Sequence, residues 1–249
     1  VNDLLTPSFL ALVAVVLVAN ATQVATGFGG TILGLALGSQ FRPIEELLPL
    51  FVSLDLVVSA SFLVRNRASV DRALYARTIL PWMGAGVVVG FAVSAFVQGN
   101  AMKRGLGVLV FVLAVRGVYD LMRTKEPASP RPPNALTHGL MLAAGVVHGV
   151  YATGGPLLVA SLARLGLERD RLRATLVAVW TTLGTVMILK LVVSGAFTAS
   201  TLRELAALLC VLPVGYVVGD KLGKAMPERT FRIAVYAVLA FAAVRLVVA

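Results

Sequence analysis

Charge is scarce in this chain. Asp, Glu, Lys and Arg make up 14% of its 249 residues, where a soluble domain carries about 25%. Hydrophobic residues make up 58%. So little charge cannot cover that much apolar side chain in water, which excludes a disordered chain and an ordinary soluble enzyme. Cysteine is scarcer still. Cys210 stands alone inside an apolar run, so no internal disulfide can form and a disulfide-stapled secreted domain is excluded. In that setting Cys210 reads as a small buried hydrophobe. Two histidines and one cysteine cannot build a familiar metal site. His-Glu-x-x-His, Gly-x-Ser-x-Gly, a Cys pair and a phosphate loop are all missing. The chain therefore reads as no enzyme and as needing no cofactor.

What is present is apolar sequence in long runs. Mean hydropathy is +0.90. The runs are Leu4–Ala25, Thr31–Gly38, Leu47–Val64, Leu74–Val97, Met102–Leu121, Leu136–Tyr151, Pro156–Leu165, Leu172–Val193, Leu205–Val218 and Phe231–Val248. Several reach the ~20 residues that span a bilayer as a helix. The class is an all-α, multi-pass integral membrane protein with the lipid bilayer as its first partner. The first run has no basic stretch before it and no convincing cleavage site, so it reads as part of the mature protein. The net charge of +10 sits in short loops between runs. That placement marks membrane topology and argues against nucleic acid as a partner.

One linker stands out at Arg123–Asn134, with four prolines between Pro127 and Pro133. Proline removes a backbone donor and holds such a segment extended. The two halves it separates repeat each other. Gln23-x-x-Thr26-x-x-Gly29-Gly30 returns 125 residues later as His148-x-x-Tyr151-x-x-Gly154-Gly155. A short apolar stretch, a polar loop and three long runs follow each motif. Arg116 and Arg245 align in the last runs. The expected organisation is a first repeat over 1–122, a cytoplasmic proline-rich linker over 123–135 and a second repeat over 136–249.

Charge then fixes an expected topology. Suppose each glycine-broken unit is a re-entrant hairpin that returns to its starting side. One face then holds fifteen of the 22 Lys and Arg, the other holds four, and Arg116, Lys190 and Arg245 stay inside runs. A single crossing at each break would leave the charges nearly even. The positive-inside rule favours the hairpins, makes the basic face cytoplasmic and puts both termini outside. Each half then holds a hairpin plus three crossings, an odd number, so the second repeat is inverted relative to the first. Inverted repeats with broken helices are a transporter architecture.

The breaks are where chemistry is expected. Glycine lets backbone leave the helix. In a membrane the freed polar groups need partners or a wet cavity. The start of the half-helix after each break offers free N–H groups and partial positive charge. Two such starts facing one another suit a small anion. The site residues are Gln23, Thr26, Gly29, Gly30 and Thr31 from the first motif, and His148, Tyr151, Thr153, Gly154, Gly155 and Pro156 from the second. The polar side chains could donate to an oxyanion or cap the broken backbone. On this reading Gly154→Leu abolishes transport and leaves the protein folded. Asp55 lies mid-run, where a carboxylate is costly. It is either a coupling-proton carrier, as His148 could also be, or a hydrogen-bonded acid that fixes packing. Lys190 either snorkels to the outer interface or draws anions toward it. The glycine ladders Gly86–Gly90 and Gly215–Gly223 read as packing faces, within the chain or in a homodimer. Pro81 and Pro213 are expected kinks.

Taken together, the doubled unit resembles the sulfite exporter TauE/SafE family of small bacterial permeases. The residues that carry the resemblance are Gly27-Phe28-Gly29-Gly30 and Gly154-Gly155-Pro156-Leu157-Leu158. The chain departs from the pattern at Thr31 and at Ala152-Thr153. The resemblance implies a bacterial inner-membrane transporter of a small sulfur-containing anion, sulfite or an organosulfonate. Composition and spacing alone imply only a transporter of something small, and the donors at the breaks favour an anion. The competing readings are an uncoupled anion channel or uniporter and a membrane scaffold subunit that transports nothing.

Overall fold

The structure is a computed structural model. It describes residues 6–26, 29–122, 132–162, 165–225 and 228–248, and every regular element among them is helical. The first half gives α1 (Pro7–Thr26), α2 (Gly30–Gly38), α3 (Ile44–Asn66), the single turn α4 (Arg72–Leu74), α5 (Leu80–Phe96) and α6 (Gly99–Met122). The second gives α7 (Ala135–Tyr151), α8 (Gly155–Leu162), α9 (Arg169–Val193), α10 (Ala199–Leu209), α11 (Leu212–Ala225) and α12 (Glu228–Val248). Of the expected linker, residues 123–131 lie outside the described residues.

Length divides these helices by what they can do in a bilayer. Among the described residues, Pro7–Ala25, Ile44–Ser69, Arg72–Phe96 and Asp170–Val193 are long and apolar enough to cross a membrane. The bent pair Ala199–Leu209 and Leu212–Leu222 makes a fifth if counted as one span. With 9 residues, α2 is far too short. It is about 14 Å long, against a hydrocarbon core of about 30 Å. The 8 residues of α8 are shorter still. Helices α2 and α8 occupy the same place in the order of their halves.

Of the two expected proline kinks, the one at Pro213 is a bend between two helices, while at Pro81 the helix runs on through a widened turn. A proline ring clashes with the carbonyl four residues earlier and offers no N–H. Pro81 is the second residue of α5, and the turn before it, Tyr75–Ile79, is π-helical, with the Leu80 N–H reaching back to the Tyr75 carbonyl. The widened turn takes in Arg77, the residue whose carbonyl the ring would strike. Pro213 is the second residue of α11. There the previous helix stops at Leu209, four residues before the proline, and the pair bends by 44°. Cys210 falls in this break and is exposed. The expectation of a buried small hydrophobe is therefore wrong, because the apolar run that surrounds Cys210 is two helices rather than one.

Two compact units form, and each draws on both halves of the chain. One comprises Val1–Leu54, Gln98–Thr124 and Leu191–Ala249. The other comprises Asp55–Val97 and Lys125–Lys190. In the first unit α1 packs on α11, with Gly219 against the Ala21 backbone and Gly215 against Asn20. Here α6 packs on α12, with Gly107 against Leu246 and Gly117 under the Tyr236 ring. In the second unit α5 packs on α7, with Gly86 and Gly90 against Gly145 and Gly149. Glycine is needed on both sides there, because a Cβ on Gly86 or Gly145 would overlap backbone of the partner helix. Helices in lipid gain little from hydrophobic burial against each other, so this close backbone approach supplies the contact. The core of the second unit is built by Ile79, Met83, Met141, Leu158, Leu162, Val179, Trp180 and Leu183.

Candidate functional site

The two glycine breaks share one hydrogen-bond pattern. In the first unit the Leu33 N–H bonds to the Gly29 carbonyl at 3.1 Å. In the second the Leu158 N–H bonds to the Gly154 carbonyl, also at 3.1 Å. The donors and acceptors are 125 residues apart in sequence, as the motifs are. Each short helix thus takes its first bond on the glycine before it. The N–H groups of Gly30, Thr31 and Ile32 are then not used within α2, nor are those of Gly155 and Leu157 within α8. Pro156 has no N–H, so the second break offers one donor fewer.

The first break is built as follows. Thr26 ends α1, and Gly27 and Phe28 lie outside the described residues. Gly29 has φ +90°, which glycine adopts without steric penalty. Gln23 is turned toward the start of α2, where its side-chain oxygen lies over Gly30 and leaves no room for a Cβ. Gly30 and Thr31 are buried. One turn before Gln23, Asn20 donates to the Leu212 carbonyl at 3.0 Å, and its own oxygen is buried with no partner. Sequence reasoning missed Asn20. Its signal was a lone amide inside an apolar run, three residues from the motif glutamine.

The second break lies between α7 and α8. Helix α7 closes with the Ala152 N–H on the His148 carbonyl at 2.7 Å. Ala152 has φ 55°, a left-handed conformation unusual for alanine. Tyr151, Thr153, Gly154 and Gly155 are buried, and Pro156 is half-buried. Gly154 is a packing glycine, since a Cβ there would overlap the Ala144 carbonyl oxygen. The expectation that Gly154→Leu leaves the fold intact therefore fails on steric grounds. His148 turns toward α9, where its ring stacks on Trp180 with centroids 5.9 Å apart and planes 20° apart. It is 4% exposed, and neither ring nitrogen has a hydrogen-bond partner of good geometry. Trp180 is a second residue that sequence reasoning missed, since one more aromatic in an apolar run carries no signal.

The remaining candidates sit elsewhere in the second unit. Asp55 is half-buried in the middle of α3 and is not a free carboxylate. Lys190 donates to Ser94 at 2.8 Å and stands 4.8 Å from the centre of the Phe91 ring. Thr181, Thr182 and Thr185 each donate to the carbonyl four residues earlier in α9. With the Thr182 proton committed, the short bond between Tyr75 and Thr182 has the tyrosine as donor. Among the described residues no group of three His, Cys, Asp or Glu could hold a metal.

A model of the sulfite exporter TauE/SafE family matches residues 12–246. The chain belongs to that family. The match takes in both glycine breaks and all the long apolar helices, so the family assignment covers the whole architecture. This TauE/SafE chain is a multi-pass membrane protein of a transporter family. No curated protein and no solved structure matches it.

Proposed function

We propose that this TauE/SafE protein is a secondary transporter that moves a small sulfur-containing anion, of the sulfite or organosulfonate class, across the bacterial inner membrane by alternating access. The observation that carries the reading is the pair of matched breaks. Each unit holds one, before a helix too short to span, with a glycine carbonyl taking the first helical bond. Unused N–H groups in a membrane need polar partners, and at a helix start the favoured partner is an anion. Gln23, Thr26, Gly29, Gly30 and Thr31 are assigned to anion binding in the first unit. His148, Tyr151, Thr153, Gly154, Gly155 and Pro156 are assigned to it in the second. Inverted repeats, with both termini outside and the arginine-rich loops in the cytoplasm, follow from the charge distribution. Asp55 or His148 is the candidate for proton coupling. Homodimer formation belongs to the same reading, but not through Gly86, Gly90, Gly215 or Gly219, which face helices of their own unit.

The test is sulfite flux in proteoliposomes, with and without an imposed proton gradient. Flux driven by the gradient supports a coupled transporter. Flux indifferent to the gradient supports a uniporter or pore and removes the coupling role. No flux of sulfite or organosulfonates favours a scaffold subunit.

A further inference from the structure

The end of α3 and the turn α4 are pinned to the start of α9, far along the chain. The Asp71 N–H donates to the Thr175 hydroxyl at 3.0 Å, across 104 residues. One Asp71 carboxylate oxygen accepts from the Leu74 N–H at 3.0 Å, and the other lies 3.8 Å from the Arg171 guanidinium. The Arg173 guanidinium stands 4.5 Å from the centre of the Phe62 ring. Tyr75 bonds to Thr182 further along α9. All these residues belong to the second compact unit. The contacts gather arginine. Residues 65–77 and 168–173 hold seven arginines, no lysine and three carboxylates, a net charge of +4. Asp71 is engaged as described, and Glu168 and Asp170 are exposed. Arg65, Arg67, Arg72 and Arg171 are exposed as well. Arg65 follows Phe62 by three residues, which puts it on the helix side that meets Arg173. Arg72 follows Asp71, whose carboxylate meets Arg171.

Depth decides what such a patch meets. Three helical stretches long enough to span end in it: Ile44–Ser69, Arg72–Phe96 and Asp170–Val193, of 26, 25 and 24 residues. They are about 36–39 Å long, against a hydrocarbon core of about 30 Å. Their ends therefore reach the headgroup layer, where the anions present are lipid phosphates. A guanidinium fork meets two phosphate oxygens at once. Topology alone asks only for basic charge in each loop. It does not ask for two loops to be tied together through Asp71 and Thr175. We propose that Arg65, Arg67, Arg72 and Arg171 form a binding site for the phosphodiester headgroup of an anionic phospholipid, assembled when Asp71 docks the α3–α4 elbow on α9. This site is separate from the glycine breaks and does not depend on the anion-transport reading.

The experiment is native mass spectrometry of the full chain in dodecyl maltoside, titrated with phosphatidylglycerol or phosphatidylcholine. Phosphatidylglycerol should bind at least about tenfold more tightly. One arginine near a membrane surface is worth about fivefold in affinity. The triple variant Arg65→Gln, Arg67→Gln, Arg72→Gln should therefore bind phosphatidylglycerol about a hundredfold more weakly. A control that removes the same charge from the first unit, Lys103→Gln, Arg104→Gln, Arg203→Gln, should stay within about twofold of the unaltered protein. Equal binding of the two lipids overturns the proposal. So does an equal loss in the two triple variants, which would make the attraction a property of net charge. Displacement of phosphatidylglycerol by an equal concentration of glycerol 3-phosphate overturns the lipid as ligand, in favour of a soluble phosphate ester. If the first triple variant does not fold, Arg171→Gln, at a side chain 59% exposed, carries the test with an expected loss of about fivefold, and an unchanged affinity there overturns the site.

Discussion

Ala152 shows at the scale of one residue how the two breaks differ. It occupies the position matched by Gly27 in the first motif, yet it holds φ 55° with a side chain. The left-handed region costs a non-glycine residue about 1–2 kcal/mol. Ala152→Gly should therefore raise stability by about 1 kcal/mol, read as a higher Tm in detergent. The neighbouring glycines separate two causes of conservation-independent constraint. Gly29 has open space but a positive φ, whereas Gly154 has ordinary φ and no space. Gly154→Ala should lower the yield of monodisperse protein sharply, by overlap with the Ala144 backbone. Gly29→Ala should cost about 1–3 kcal/mol through strain alone. Equal yields for Gly154→Ala and unaltered protein would show that α8 can shift away from α7. These distinctions were not legible in the motif, where both positions read simply as breaks.

At the scale of elements, close helix approach and helix ends dominate. The α5–α7 contact predicts a contrast within each helix. Gly86→Ala and Gly145→Ala should destabilise the protein, since a Cβ meets partner backbone. Gly84→Ala and Gly139→Ala should be near neutral, because nothing lies within 4 Å. Thermal unfolding of the four variants in one detergent checks this, and a similar loss for all four would refute the packing assignment. The ladder of glycines was readable from spacing, but its partner was not. Sequence pointed to packing faces in general, and only the fold shows that Gly86 meets Gly145. At the start of α4, Asp71 accepts from the Leu74 N–H at 3.0 Å, and its own N–H bonds to Thr175 at 3.0 Å. Asp71→Ala should cost about 1 kcal/mol, the usual worth of an N-cap. The helix disturbances at Pro81 and Pro213 were legible because proline acts through its own ring, with no help from neighbours, but only at Pro213 does the helix bend sharply.

At the scale of the whole molecule, neither half of the sequence is a folding unit. The first compact unit contains α1, α2 and α6 with α10, α11 and α12, and the second contains α4, α5, α7 and α8. Arg42, between α2 and α3, bonds Glu204 on α10 at 2.7 Å and Ser8 on α1 at 2.9 Å. Residues 1–122 expressed alone should therefore fail to give a stable membrane protein, and so should residues 135–249. Co-expression of the two should restore a complex that co-purifies. Stable, monodisperse material from either half alone would contradict the exchange of helices between halves. The polar ends also bear on stability. Arg42→Ala should cost about 1 kcal/mol or more, since the pair is only partly exposed and loses less to solvent than a surface bridge.

The sequence by itself determined the class, most of the helices and the place of the two glycine breaks. These follow from local causes: a shortage of charge, the length of apolar runs, and the backbone behaviour of glycine and proline. It also carried the family, because the doubled glycine motif is a local pattern written twice. Tertiary structure alone decided which helices pair, that Gly154 is packed shut while Gly29 is not, and that His148 is buried against Trp180. Those facts depend on contacts between residues far apart in the chain. A buried partner, or the absence of one, leaves no trace in spacing or composition.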